Sequence, residues 1–232
     1  MSEKIFYAPN GDSITKEDFL DIYNNCYMWN SNIMVENIIE KILYRNFEEK
    51  VTEGDIEKII AWKKGKIKMK SFRYVEGEEN KFEMAVAKNE ITELEYQKGE
   101  SIRKEDYNNI VNKIYESDDW EKLLKSLTEI HGVGYVIAET LLYFKNPRRY
   151  LIYDRFAYVA VQALVNGLKP WSRIPYREIC SLSNMQDLYA EYYRKMKDIF
   201  GEVFEGDIVK DIIEYRKVDR ALWAYGHMYL MQ

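Results

Sequence analysis

Cysteine, proline and long apolar runs are the scarce features of this 232-residue chain. Its two cysteines, Cys26 and Cys180, make no CxxC spacing. That excludes a four-cysteine zinc or iron–sulfur site built by this chain alone and fits a reducing, cytoplasmic setting. With 4 prolines and 11 glycines against 47% hydrophobic and 31% charged residues, the composition argues against long disordered tracts and for a soluble helical protein. No segment approaches the roughly 18 apolar residues of a membrane span. The opening MSEKIFYAPNGDSITKEDF has neither the basic n-region nor the apolar run of a signal peptide, so no membrane partner is expected. Linkers, internal repeats and low-complexity tracts are not evident, and the length allows one sizeable core or two small, closely packed ones.

Positive charge is short overall but concentrated. The net charge of −5 counts against a polyanionic partner, because neutralising phosphates supplies most of such affinity. Yet AWKKGKIKMK, residues 61–70, carries five lysines and no acid. Between Leu141 and Arg177 the bases Lys145, Arg148, Arg149, Arg155, Lys169, Arg173 and Arg177 face the single acid Asp154, a local charge of +6. The acidic excess lies in stretches such as FEEKVTEGDIE. A basic face on an acidic body is a directed field, and its direction matters more than the sum. Taken alone, residues 61–70 also fit a solvated lysine-rich loop.

What the sequence has in abundance is helical periodicity. SNIMVENIIEKILYRNF repeats apolar residues at three-to-four spacing after a cap at Ser31 or Asn32. Ser13 to Tyr27 predicts a shorter amphipathic helix ending near Trp29, and TEGDIEKIIAWKKG one capped by Thr52 and stopped at Gly65. EDYNNIVNKIYES, SDDWEKLLKSLTEI with a cap at Ser117 or Asp118, GYVIAETLLYFKN, DRFAYVAVQALVNG, NMQDLYAEYYRKMKDIFGEVF and EGDIVKDIIEYRKVDRALWAYGHMYL complete the set. Residues 66–100 are the least helical and allow a small β-hairpin about Gly77. The fold class is therefore mainly α.

Between two of these helices stands His131-Gly132-Val133-Gly134. Glycines at 132 and 134 permit positive φ and close backbone approach, so the amides of Gly132, Gly134 and Tyr135 turn outward at a helix start. There they and the helix dipole suit a phosphate oxygen, a contact that ignores base identity. L-x-x-I-x-G-V-G-x-x-x-A, followed by a proline-containing segment and Asp154 at the next helix start, resembles the helix-hairpin-helix superfamily of DNA glycosylases. The match covers about residues 120–165.

The resemblance implies two helical subdomains with the DNA cleft between them, one over 31–150 and the other from 1–30 plus 151–232. It implies double-stranded DNA as partner, a monomer, and phosphate contacts at Gly132, Gly134, Tyr135, Lys145, Arg149 and Arg155. Asp154 takes the place of the catalytic carboxylate, where an anion stabilises the positive charge that develops on the sugar as the N-glycosidic bond breaks, and orients or deprotonates water. Asp is also a favoured helix cap, and both roles are compatible.

Bifunctional members carry a lysine nucleophile where this chain has Val136, so the resemblance implies a monofunctional enzyme using water; Lys63, Lys64 and Lys145 keep a lyase lysine elsewhere open. The usual proline before the first glycine is His131. No iron–sulfur cluster is expected, no other cofactor is implied, and the turn's carbonyls allow a monovalent cation. For an extruded base the aromatic candidates are Trp29, Tyr153, Trp223 and Tyr225, chosen from 20 Tyr, 9 Phe and 5 Trp, most of which serve a core. Two other readings stay open: a non-catalytic DNA-binding module in which Asp154 is only a cap, and a helical interaction protein in which Gly-Val-Gly is only a turn. Which base is removed is not legible.

Overall fold

The computed structural model describes residues 6–30, 33–45, 49–64, 67–69, 91–94, 102–103, 105–172 and 185–230. The fold is mainly helical. In chain order the α-helices are α1 Lys16–Asn30, α2 Ile33–Arg45, α3 Glu53–Lys63, α4 Asp106–Ile114, α5 Trp120–Thr128, α6 Tyr135–Lys145, α7 Arg155–Asn166, α8 Met185–Ile199 and α9 Ile212–Tyr225. Three short antiparallel pairs join β1 Phe6–Tyr7 to β2 Ser13–Ile14, β3 Ile67–Met69 to β4 Ile91–Leu94, and β5 Phe204–Glu205 to β6 Ile208–Val209. The β3–β4 pair lies where the sequence allows a hairpin; the turn at Gly77 falls outside the described residues, as do the caps Ser31 and Asn32, the stop at Gly65, and Arg173, Arg177 and Cys180.

Two compact units make up the chain: a central one, Asn32–Leu141, and a terminal one that joins Met1–Ser31 to Leu142–Gln232. The central unit buries one face of each amphipathic helix, with Ile39 and Leu43 of α2, Ile56 and Ile59 of α3, Ile110 and Ile114 of α4, and Leu123 and Leu127 of α5. Helix α3 begins with a capping box. The Thr52 hydroxyl accepts from the Asp55 amide at 3.3 Å while the Asp55 carboxylate accepts from the Thr52 amide at 2.8 Å, and Arg45 pairs with the same carboxylate. Helix α5 is capped by Asp119, which accepts from the Lys122 amide at 3.2 Å, rather than by Ser117 or Asp118. Ser117 instead accepts from the Asp119 amide at 2.9 Å and so fixes the capping residue.

Two buried carboxyls in this unit each meet an indole. Trp62 Nε1 donates to Glu36 at 3.0 Å and Trp120 Nε1 to Glu139 at 3.2 Å. Glu139 is 2% exposed, and burial pushes its carboxyl up to about 8, only partly offset by the Trp120 hydrogen bond. The carboxyl therefore enters α6 as a neutral group at neutral pH.

The terminal unit is built on aromatic rings. Helix α1 packs along α9, and α9 packs against α7. Phe19 meets Phe6, Tyr23 and Tyr225 with centroids 5.2, 4.7 and 5.2 Å away, and the Tyr23 hydroxyl donates to the Tyr7 carbonyl at 3.0 Å. Through this core runs Tyr150–Tyr153, an irregular segment buried along its whole length. Buried amides need acceptors. No strand of the described residues lies beside it; the Tyr189 hydroxyl of α8 accepts from the Leu151 amide at 2.9 Å, and the Tyr215 hydroxyl of α9 from the Ile152 amide at 2.8 Å. The segment delivers Asp154 to the start of α7. That helix ends on Gly167, φ 61°, with Leu168 N–H reaching back to the Ala163 carbonyl at 2.9 Å.

Helical periodicity misses two strand pairs of this unit: Ser13 and Ile14, read as the start of a helix, form β2 against β1, and α1 starts only at Lys16. EGDIVKD reads as the beginning of a helix, but β5 and β6 form a hairpin across the two-residue turn Gly206-Asp207, with Gly206 at φ 61°, and α9 starts only after its cap Asp211.

Three substitutions test these contacts. Tyr215→Phe keeps the ring and orphans the Ile152 amide, so it should lower the free energy of urea unfolding by about 1–3 kcal/mol. Tyr193→Phe, whose hydroxyl makes an exposed bond to the Asp207 carbonyl, should cost less than Tyr215→Phe. For Glu139, the folded state holds its proton to about pH 8 whereas the unfolded chain releases it in the ordinary carboxylate range. Stability is thus highest below that range and falls as pH rises to about 8, so Glu139→Gln should flatten the decline and gain on the order of a few kcal/mol over the parent at pH 8.

Candidate functional site

The central unit carries the glycine turn. Helix α5 gives way at Glu129, the Ile130 amide bonds the Leu127 carbonyl at 3.1 Å, and Val133 N–H closes a turn on the Ile130 carbonyl at 3.0 Å. Gly132 sits inside that turn at φ 82°, a conformation that disfavours a side chain. Ile130, Val133, Ile137, Ala138 and Leu141 are buried, pinning the turn from below, while His131, Gly134 and Tyr135 are exposed. The first α-helical bond of α6 runs from Ala138 N–H to the Gly134 carbonyl at 3.0 Å. The amides ahead of it have no partner within the helix, and the first turn of α6 holds no acid to oppose an anion. A Cβ at Gly134 would meet nothing within 4 Å, so the fold leaves that position open. Val136, in the same turn of helix, is half-buried.

Asp154 belongs to the terminal unit. It is half-buried and caps α7, its Oδ1 accepting from the Phe156 amide at 2.9 Å. Around that cap stand aromatic rings that periodicity does not gather. Phe156 meets His227 edge-on at 4.6 Å and Trp223 at 5.6 Å; Trp223 and His227 stack face to face at 4.4 Å with planes 18° apart. Tyr27 adds an edge contact to Trp223 at 5.3 Å. Cations lie over two of these rings, Arg155 over Phe156 at 4.7 Å and Arg220 over Tyr27 at 5.9 Å. On the inner side, burial, with the carboxylates of Asp219 and Asp154 adding to it, pushes the Tyr192 hydroxyl well above the usual tyrosine value. Asp219 is itself paired with Arg216 at 2.5 Å in the core.

Gly226 makes this packing possible. It ends α9 and opens a single π-helical turn, Gly226–Leu230, which carries His227. A Cβ at Gly226 would fall inside the Phe156 carbonyl oxygen and 2.7 Å from its carbon. The end of α9 and the start of α7 therefore touch backbone to backbone.

Of the sequence-derived aromatic candidates, Trp223 stands with Asp154 and Arg155. Tyr153 faces the core against Tyr192 at 5.6 Å, and Tyr225 lies among Phe19 and Tyr23 with its hydroxyl on the Leu168 carbonyl at 3.0 Å. Trp29 is 90% exposed at the end of α1 and makes no ring contact among the described residues. Gly132, Gly134 and Tyr135 line the turn of the central unit. Lys145 is half-buried at the end of α6, and Arg149 and Arg155 are exposed. Arg148, in the same basic stretch, is bound to the Val209 and Lys210 carbonyls at 3.4 and 3.2 Å. Phe156, His227 and Tyr27 were not among the sequence candidates. Phe156 had a local signal, as the second residue of a helix capped by Asp154; His227 had none, because its contact spans 71 positions.

The arrangement presents a carboxylate with fixed orientation, aromatic faces beside it and an arginine at its rim. Among the described residues no three His, Cys, Asp or Glu gather as metal ligands, and no helix is long and apolar enough to cross a membrane. Gly226→Ala should lower unfolding free energy by about 2 kcal/mol or more, measured by urea denaturation, because neither backbone can yield cheaply. Gly134→Ala, with open space, should change it by less than about 1 kcal/mol. Comparison with family models, with curated proteins and with solved structures gives no match for the chain.

Proposed function

We propose that this protein is a monofunctional DNA glycosylase of the helix-hairpin-helix kind, acting on a damaged or modified base in duplex DNA. The observation that carries the reading is Asp154, a half-buried carboxylate held by the Phe156 amide beside the Phe156, Trp223 and His227 rings. In this reading the α5–α6 turn binds a backbone phosphate through the amides at Gly132, Gly134 and Tyr135, with Lys145, Arg149 and Arg155 adding charge. The target nucleotide leaves the stack, and aromatic faces receive its base. Asp154 stabilises the cationic sugar and takes the proton of the attacking water. With Val136 in place of a lysine, the product is an abasic site. A monovalent cation on the turn's carbonyl oxygens suits the exposed turn in donor type, and the chemistry uses no step through it.

One observation favours a second reading, a binding module without catalysis: Asp154 is spent as a helix cap. Asparagine caps about as well as aspartate, so Asp154→Asn separates the two roles by removing only the charge. Base release from duplexes each carrying one hypoxanthine, uracil, 8-oxoguanine or N7-methylguanine should be abolished in Asp154→Asn while duplex affinity stays equal or rises. Base release at the parental rate would leave only the cap. Gly134→Val should weaken binding to all duplexes alike; a loss confined to one lesion would remove the phosphate contact from the proposal.

A further inference from the structure

We propose that His227 is the proton donor to the departing base, a role that rests on the glycosylase reading of Asp154. The His227 ring is held on two sides, stacked on Trp223 at 4.4 Å and edge-on to Phe156 at 4.6 Å, so its orientation is fixed. Neither ring nitrogen has a hydrogen-bond partner among the described residues, and the residue is exposed. A clamped imidazole whose nitrogens are unspent, one ring away from the amide that holds Asp154, has the form of a general acid rather than of a packing residue.

The fold goes to some length to put it there. Gly226 removes the side chain that would part α9 from α7, and the π-helical turn that follows swings residue 227 over Phe156. Asp154 and Arg155, at the start of α7, are the charged groups that act on the imidazole. Tyr27 of α1 meets Trp223 edge-on and carries Arg220 of α9 over its own ring. Partial covering of the ring by Trp223 and Phe156 lowers the His227 pKa, Asp154 raises it and Arg155 lowers it, leaving it below the ordinary histidine value.

The step balances without an added reagent. As the bond between sugar C1′ and base nitrogen breaks, its electron pair leaves with the base, and the His227 imidazolium gives that base a proton. Water adds to C1′ and its proton goes to Asp154. Transfer of that proton to solvent, and uptake of one by His227, restores both groups. The products are free base and an abasic sugar. Because the donor is the protonated ring, the rate falls as pH rises through the His227 pKa, on the acid side of the ordinary histidine value.

The test uses the full chain and the four lesion duplexes named above, with single-turnover base release measured from pH 4.5 to 8.5. His227→Phe preserves the ring contacts; His227→Gln preserves a hydrogen-bonding group; thermal unfolding of each reports the packing. His227→Phe should release base at least about a hundredfold more slowly at the parental optimum and lose the alkaline fall of the profile. Added imidazole should restore part of the rate to His227→Ala. Base release by His227→Phe within about threefold of the parent, or an unchanged pH profile, with Asp154→Asn inactive, overturns the role of His227 and leaves that of Asp154. Parental rates in both Asp154→Asn and His227→Phe, or no release from any duplex by the parent, overturn both.

Discussion

Two hydrogen bonds donated by a buried backbone to tyrosine hydroxyls govern the geometry of the terminal unit. A stretch such as Tyr150–Tyr153, buried and without a neighbouring strand among the described residues, would strand its amides in a dry interior at a cost of about 1–3 kcal/mol each. Tyr189 and Tyr215 supply the acceptors from two different helices, so α8 and α9 are both tied to the same few residues. Everything downstream inherits that anchoring. Asp154 leaves the segment at a defined point, caps α7, and orients the Phe156 amide and ring against Trp223 and His227. At Tyr189 and Tyr215 the hydroxyl matters as much as the ring, since phenylalanine would fill the same volume and leave the amides unmet.

The central unit solves a different problem by the same kind of means. Its glycine turn is exposed on one side and pinned from below, where Ile130, Val133 and Ile137 are buried. Among the described residues its fully buried polar side chains have partners: Asp55 closes a capping box and meets Arg45, Glu36 and Glu139 accept from indoles, and the Thr140 hydroxyl donates to the Val136 carbonyl at 2.7 Å. Open space over Gly134 is then a property of the surface and not a packing defect, since nothing inside the unit needs that volume.

Local rules made much of this legible. Apolar spacing located the helices, Thr52 and Asp154 were readable as caps because a favoured capping residue immediately precedes each apolar pattern, and of the two glycines that signalled a tight turn only Gly132 takes a positive φ. Competition between adjacent candidates defeated the cap of α5, where Ser117, Asp118 and Asp119 are all eligible and the Ser117 hydroxyl decides by taking the Asp119 amide. The β5–β6 hairpin was hidden because its strands are two residues each, too short for an alternating pattern to show. Site residues were the hardest. Trp223, Tyr225 and Tyr153 look alike in sequence, yet one lies at the Asp154 cap and two fill the core, a choice made by contacts far along the chain. The nucleic-acid reading itself rests on a turn and a carboxylate, both of which have structural duties of their own.

The touching backbones of Gly226 and Phe156 have a consequence in time. The central unit is one uninterrupted span of chain, so it has all its parts as soon as residue 141 has left the ribosome. The terminal unit is made from both flanks, and its carboxylate corner closes only against a glycine at position 226. During synthesis, which proceeds at roughly 5–20 residues per second, Asp154 therefore waits about 4–14 seconds for its last neighbours. A nascent or prematurely terminated chain can carry a finished turn and still lack a finished Asp154 corner, so the two sites proposed to act together are completed at different times.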